Sequence, residues 1–423
     1  TCALPILDLL KKIFLLFISI ICFKTEAQKS DFATKNNFNF IGFGYSVGKT
    51  LPSISIFPDT ENQKNIDVTI GKTTFENETW AKLLNYPKSG VLLSYADFGN
   101  QKEVGYGISV IPFLEFGVFN SLTKRVHFQI GLGGSYNNVI YDKVTNRGNF
   151  SISTHFNWGF RSFFYYDIIH KKDFSIKVGA GLTHFSNGHT RLPNHGLNSI
   201  LSTIKTEFNF VKNKNTVQLN TSEINKSSTE NYFSTRFGFG QKVLARDYNF
   251  IKNVYTASFA MGKVKNKTYK YGFGFYYRFY DDYYDYIKEG GDVINKEFPE
   301  LKSKPFQNAT AFGVFSNFEL LMNHFSIETE LGLNIYKPGY KVDWYLNNGS
   351  MKNGVYVVKN HDVKAKLKQI ISSRLGFRYY AFTTKKAPKH NFFVAANINA
   401  NLGQADFAEL SFGYVYSYKS IKK

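Results

Sequence analysis

The 423-residue chain carries 43 Phe, 28 Tyr and 33 Gly against only 10 Pro and 3 Met, a balance that favours strands and argues against a helical protein. A formal net charge of +20 at pH 7 leaves nucleic acid, a membrane surface or an anionic ligand as partners. Two cysteines are too few for a disulfide framework.

Residues 1–9, TCALPILDL, precede a segment laid out as a secretory signal: Lys11 and Lys12, an apolar run, then a small-residue end with cleavage expected after Ala27. Leu10 is read as the position of a misread start codon, and residues 1–27 as removed from the mature protein. Cys2 and Cys22 both fall in that segment, so the mature chain is expected to have no thiol chemistry. Ile20 and Ile21 are too bulky for a lipoprotein signal at Cys22. After Ala27 no apolar stretch is long enough for a spanning helix. An exported chain does not meet nucleic acid. Lysines clustered in turns, as in KNKN at 212–215 and KVKNK at 263–267, are either a solvated rim or an attraction to phosphorylated lipid headgroups.

Several segments then alternate apolar and polar residues over the length a tilted strand needs to cross a bilayer. Residues 126–133 set Val126, Phe128, Ile130 and Leu132 against His127, Gln129 and glycines. Residues 150–161 set Phe150, Ile152, Phe156, Trp158 and Phe160 against Ser151, Ser153, His155, Asn157 and Arg161. The pattern recurs in 174–186, 271–279 and 410–418. With the export signal, aromatic strand ends and a glycine-bearing polar face, it predicts an all-β, closed, transmembrane antiparallel β-barrel of about 14–16 strands with long external loops. Links at 119–125, 170–173, 265–267 and 320–323 are read as periplasmic turns, and those at 134–148, 187–199, 282–307 and 337–365 as external loops. A long polar link at 212–230 breaks this scheme and is the one place where the chain offers a boundary.

In FSIKVGAGLTHFS, 174–186, the apolar face of Phe174, Ile176, Val178, Ala180 and Leu182 continues through His184 and Ser186, because side chains repeat every second residue. The pair therefore faces lipid near the external rim of the seventh strand. Two readings stand: a polar rim where strand and loop meet, or a serine activated by an adjacent imidazole and reached sideways from the membrane.

HFSN at 184–187 followed by LPNHGLN at 192–198 resembles the lipid A 3-O-deacylases of the PagL type, outer-membrane barrels whose motif runs His-x-Ser-Asn and then Pro-Asn-x-Gly. YPKSGVLLSYADFGN at 86–100, IPFLEFGVF at 111–119 and ADFAELSFGY at 405–414 resemble longer members of this group, the acyloxyacyl hydrolases. The resemblance implies a bacterial outer-membrane barrel over 28–423, with 36–211 its deacylase-like part and 231–419 additional strands. It implies lipid A or lipopolysaccharide as substrate, no cofactor and no metal. By the motif, Ser186 is the nucleophile and His184 its base, Asn187 with neighbouring backbone N–H groups is the candidate to stabilise the oxyanion, and Asn194 and Gly196 shape the loop. Where the family has a glutamate to orient the histidine, this chain has Asn198, which accepts a hydrogen bond but does not neutralise imidazolium. Asp97 and Glu115 are the candidate substitute acids.

A second HFS at 324–326 puts His324 and Ser326 on the lumen face, beside Glu328 and Glu330, and is read as interior polarity. The spacing of His184, His189 and His195 matches no common zinc pattern. Two rival readings are an inactive barrel acting as a porin or binding protein, and an exported glycan-binding sandwich; oligomeric state is open. The purified protein is expected to require detergent and to migrate faster unheated than boiled on a gel; mobility indifferent to heating would favour the sandwich.

Overall fold

The computed structural model describes residues 38–74, 78–118, 125–210, 228–352, 355–358 and 363–419. The expected signal segment with Cys2 and Cys22, the turn around 119–124 and most of the 212–230 link lie outside the described residues. Eight strands make a first closed antiparallel ring: β1 (Phe40–Leu51), β2 (Gln63–Thr73), β3 (Lys88–Asp97), β4 (Tyr106–Gly117), β5 (Val126–Asn137), β6 (Phe156–His170), β7 (Phe174–Ser186) and β8 (Leu197–Asn209). β8 pairs back on β1 from Phe40↔Asn209 to Leu51↔Asn198. A second ring holds β9 (Thr229–Lys242), β10 (Lys252–Lys265), β11 (Tyr269–Tyr280), β12 (Thr310–Met322) and β13 (Phe325–Tyr336). It is completed by β16 (Ile371–Tyr380), β17 (His390–Asn401) and β18 (Gln404–Lys419), while the hairpin β14 (Gly349–Lys352) and β15 (Val355–Val358) stands apart.

The all-β, closed antiparallel barrel architecture is therefore present, with its strands closing as two rings of eight. Alternation is identical in either arrangement, and closure is decided by which strands pair. The long link at 212–230 is what carries the chain from β8 to the start of the second ring. One strand boundary also differs from the pattern. Alternation suggested a strand from 150, but β6 begins at Phe156. Residues 150–155 turn into the loop, where Ile152 packs with Phe57, Phe98, Val104, Phe185 and Leu197.

Along each ring the period-two rule separates two solvents. Large apolar side chains point outward with no protein over them, as Phe273 at 64% and Ile335 at 66% exposure show. A continuous apolar belt of this kind is stable against lipid and not against water. Facing inward, charges interlock. In the first ring Arg161 pairs with Asp67 at 2.8 Å and Lys177 with Glu115 at 2.5 Å. In the second, Arg374 reaches Glu328 at 2.7 Å and Glu409 at 3.1 Å, while Arg378 reaches Glu319 at 3.0 Å. An eight-stranded barrel has room for little more than its own side chains.

The second ring is also covered at its loop end. Helices Asp281–Glu289, Asp292–Glu297 and Gly339–Asn348 seat Tyr283, Ile287, Ile294 and Val342 on Tyr280 and Phe407. An ion-filled lumen under a packed helical cap is a poor conduit, so the porin reading draws no support from the second barrel.

The arginine that joins the most lumen partners tests this packing. Arg374 donates to Glu328, Asn397, Glu409 and Ser411. Arg374→Ala leaves buried carboxylates without their cation, which costs about 3–5 kcal/mol. The temperature at which the heat-dependent gel shift occurs is expected to fall; an unchanged temperature would mean the network contributes nothing net.

Candidate active site

Strand register builds the site before any loop is considered. On the outer face of β7, Val178 and Leu182 are exposed, whereas Ser175, Lys177 and Thr183 on the other face are buried in the lumen. His184 and Ser186 continue the outer face, two residues apart. Across the ladder His184 stands opposite Asn198 on β8 and Phe160 on β6, and Ser186 stands opposite Trp158. Directly opposed side chains approach within a few ångströms, so three strands deliver the group without any sharp turn.

The resulting contacts are short. Ser186 Oγ lies 3.0 Å from His184 Nε2, and Asn198 Oδ1 lies 2.7 Å from His184 Nδ1. Asn198 Nδ2 donates to the Gly196 carbonyl at 3.3 Å, which turns the amide oxygen toward the imidazole. Nδ1 must then carry the proton it gives to Asn198, leaving Nε2 with a lone pair for the serine hydroxyl. Gly196, at φ +82°, lies flat on the ring: a Cβ there would sit 2.4 Å from His184 Cε1. Any larger residue would displace the imidazole. Ser186 is only 5% exposed beneath the loop.

That loop, 187–196, is organised around Asn187. Its Nδ2 donates to Ser153 Oγ at 3.1 Å and to the Arg191 carbonyl at 2.8 Å, and its Oδ1 accepts the His189 N–H at 3.0 Å. Its own N–H goes to Asn194 Oδ1 at 3.1 Å. Both side-chain donors and the backbone N–H of Asn187 are thus engaged within the loop. Asn194 has its oxygen engaged, and its Nδ2 has no protein acceptor among the described residues. His195 and Gly196 donate backbone N–H groups to Phe150 and Ser151 at 3.1 and 3.0 Å.

The substitute acids are elsewhere. Glu115 is buried in the lumen against Lys177, and Asp97 Oδ1 accepts the Gly99 N–H at 3.0 Å to close the turn after β3. Neither meets His184, whose partner is Asn198. Of the second HFS, Ser326 points inward and donates to Glu319 at 2.6 Å, whereas His324 lies in the turn before β13, with Nδ1 2.8 Å from the Tyr380 carbonyl and its ring stacked on Tyr379 and not, as expected, in the lumen.

Pattern reading missed the segment 243–249, at the loop end of the second barrel, which touches this site only through the fold. Val243 N–H donates to the His189 carbonyl at 3.1 Å. Asn249 accepts the Leu192 N–H at 3.0 Å and donates to the Leu192 carbonyl at 2.7 Å. Arg246 lies over the Phe150 ring at 5.3 Å, and His195 packs edge-on against the same ring. No sequence periodicity connects positions so far apart.

His189 marks this contact chemically. Burial first, and then the Lys242 ammonium, push its imidazole from 6.5 down to about 4, against partial compensation from Asp343 and Asp406. Such a histidine is neutral when docked and protonated when released. Between pH 6.5 and about 4 the undocked loop therefore binds a proton that the docked loop refuses, so docking is at full strength above that window and weakens as pH falls through it. Hydrogen exchange of residues 187–196 is expected to gain protection on raising pH from 4 to 6.5 beyond the intrinsic rate change, and His189→Gln to remove that gain; an identical profile in the variant would dissociate the effect from this imidazole.

Residues 66–206 match the family described as Lipid A 3-O-deacylase (PagL), about a third of the chain. No curated protein matches. Among solved structures the chain is similar to the outer membrane enzyme PagL, with 14% identity and a TM-score of 0.28, over 39% of this chain and 97% of that one. It is also similar to OprB of Pseudomonas putida, with 11% identity and a TM-score of 0.18, over 90% and 94% of the two chains. A third likeness is an outer membrane channel from Pseudomonas putida F1, with 8% identity and a TM-score of 0.16, over 93% and 100%. The matched span runs from β2 to β8 and includes His184, Ser186 and Asn198, so the likeness to the family described as Lipid A 3-O-deacylase (PagL) lies within the first barrel.

Proposed function

We propose that this chain is an outer-membrane esterase that hydrolyses an ester-linked acyl chain of lipid A or lipopolysaccharide, with Ser186 as nucleophile, His184 as general base and Asn198 as the group that orients it. In this reading 36–211 is the hydrolase part and 231–419 supplies the additional strands. The observation that carries it is the unbroken chain of contacts Ser186 Oγ to His184 Nε2 at 3.0 Å and His184 Nδ1 to Asn198 Oδ1 at 2.7 Å. A hydroxyl with a lone-pair nitrogen at hydrogen-bond distance and a third group fixing the tautomer is the arrangement nucleophilic acyl transfer requires.

The steps follow from these atoms. Ser186 Oγ attacks the ester carbonyl carbon while its proton passes to His184 Nε2. The carbonyl oxygen becomes an oxyanion, to which we assign Asn194 Nδ2, without a protein acceptor among the described residues, as donor. Collapse breaks the bond to the sugar oxygen, which leaves with the proton from Nε2, and the acyl chain remains on Ser186. Water then attacks the acyl-enzyme, His184 again taking and returning the proton, and the fatty acid departs.

Placement on the outer face suits the substrate. The ester of a bilayer lipid lies at the interface, and a site on the lipid side of β7 meets it by lateral diffusion. Asn198 sets the limit of the machinery, since a neutral amide holds the tautomer but leaves the transient imidazolium without a counter-charge.

Purified protein incubated with lipid A is expected to release one acyl chain, seen by mass spectrometry. Ser186→Ala should reduce release by at least about a thousandfold, and Asn198→Ala by at least about tenfold through loss of the tautomer. Acyl loss that persists in Ser186→Ala would remove this serine from the mechanism, and an inactive wild-type protein would leave the binding-protein reading in its place.

A further inference from the structure

We infer that Asn249, in the second barrel, is a positioning residue for hydrolysis, so that the second barrel is part of the working enzyme and not an appendage; this rests on the esterase reading above. The site is built from outer-face side chains of β6, β7 and β8 together with loop 187–196, and the rigidity of that loop decides where Asn194 and Gly196 sit. Inside the first barrel the loop is fastened at Asn187, His195 and Gly196. Between these anchors, the backbone groups of Leu192 itself are held from outside.

Asn249 satisfies both backbone groups of Leu192 with one amide, at 3.0 Å for the N–H and 2.7 Å for the carbonyl. A two-point grip on a single residue fixes orientation as well as position. Leu192 lies two residues before Asn194, whose Oδ1 in turn holds the Asn187 N–H beside Ser186. Displacement at Leu192 is therefore passed to the candidate oxyanion donor within one short, tightly bonded turn.

Three further contacts show that the grip belongs to a built interface. Val243 N–H holds the His189 carbonyl at 3.1 Å. Gly188, at φ +67°, lies so close to Ala408 of β18 that an added Cβ would stand 3.1 Å from the alanine Cβ. At the opposite end of the barrels Lys385 reaches Glu78 at 3.2 Å. The two barrels thus share one polarity, and their loop ends meet at the hydrolytic site. Asn249 lies outside the span matched by the deacylase family, 66–206, so the grip is a property of this two-barrel chain.

The test uses full-length protein in detergent micelles with lipid A as substrate. Asn249→Ala is expected to lower kcat by about tenfold to a hundredfold, the scale of a small misplacement at a reacting centre, with KM within about twofold and the heat-dependent gel shift unchanged. Hydrogen exchange at the Leu192 amide should rise in the same variant. Asn249→Asp, which still accepts from Leu192 N–H but cannot donate to its carbonyl, should fall between wild type and Asn249→Ala. If Asn249→Ala turns over within twofold of wild type while wild type is active, the positioning role is overturned and the esterase reading stands. Inactive wild type together with an intact gel shift overturns the esterase reading and the positioning role with it, even where exchange at Leu192 still reports the grip.

Discussion

The register of β8 is the constraint on which the rest depends. A sheet in a membrane must leave no backbone edge unpaired, so β8 has to find β1, and it does so in unbroken antiparallel register from Asn209 to Asn198. Asn198 is the last residue of that seam and simultaneously the residue opposite His184 on β7. Closure of the barrel and assembly of the site are thus one event. A slip of one residue would turn Asn198 into the lumen, leave His184 without its partner and send the lumen charges Lys205 and Glu207 into lipid. The large penalty for exposing those charges protects a contact whose own energy is small.

How much of this is readable in the chain follows from the range of each effect. Facing is local: period two is enough to put His184 and Ser186 on the outer side of their strand, and to put Ser326, Glu328 and Glu330 on the inner side of theirs. Closure is not local. The alternation of β1 to β8 and of β9 to β18 is the same pattern, and nothing in it states that the ring shuts after eight strands. The start of β6 shows a similar limit, because Phe150 and Ile152 alternate like a strand while serving the loop core around Phe98 and Phe185. Asn187 was legible as part of the site by motif, but its task depends on who accepts its hydrogens. Those acceptors, Ser153 and the Arg191 carbonyl, appear only in the folded loop.

Charge is distributed by the same division of solvents. Buried carboxylates are numerous, but each described one in the lumens faces Lys, Arg or a hydrogen-bond donor. Among the described residues, no Lys or Arg is seen in contact with His184 on the lipid side. A carboxylate in place of Asn198 would bring a full negative charge to a half-buried, membrane-facing position, where desolvation opposes it until imidazolium forms. The neutral Ser186–His184–Asn198 row avoids that cost at rest and, on the esterase reading, forgoes the compensating charge in the transition state. Glu115 cannot make up the difference: it lies on the inner face of β4, tied to Lys177 and Gln129.

A weaker third member of the row raises the premium on geometry. When charge stabilisation is limited, rate depends more heavily on how well base, nucleophile and oxyanion donor are held before reaction. In a single eight-stranded barrel the only support for an external loop is the rim beneath it and the neighbouring loops. Here the loop is held from below by Ser153, Phe150 and Ser151, and from the side by Val243 and Asn249 of a second closed barrel with its own ionic core and helical cap. Closed barrels are stiff, and two of them joined at both ends resist the tilt that would spread the interface. On the esterase reading, the second barrel supplies in rigidity what the amide of Asn198 does not supply in charge.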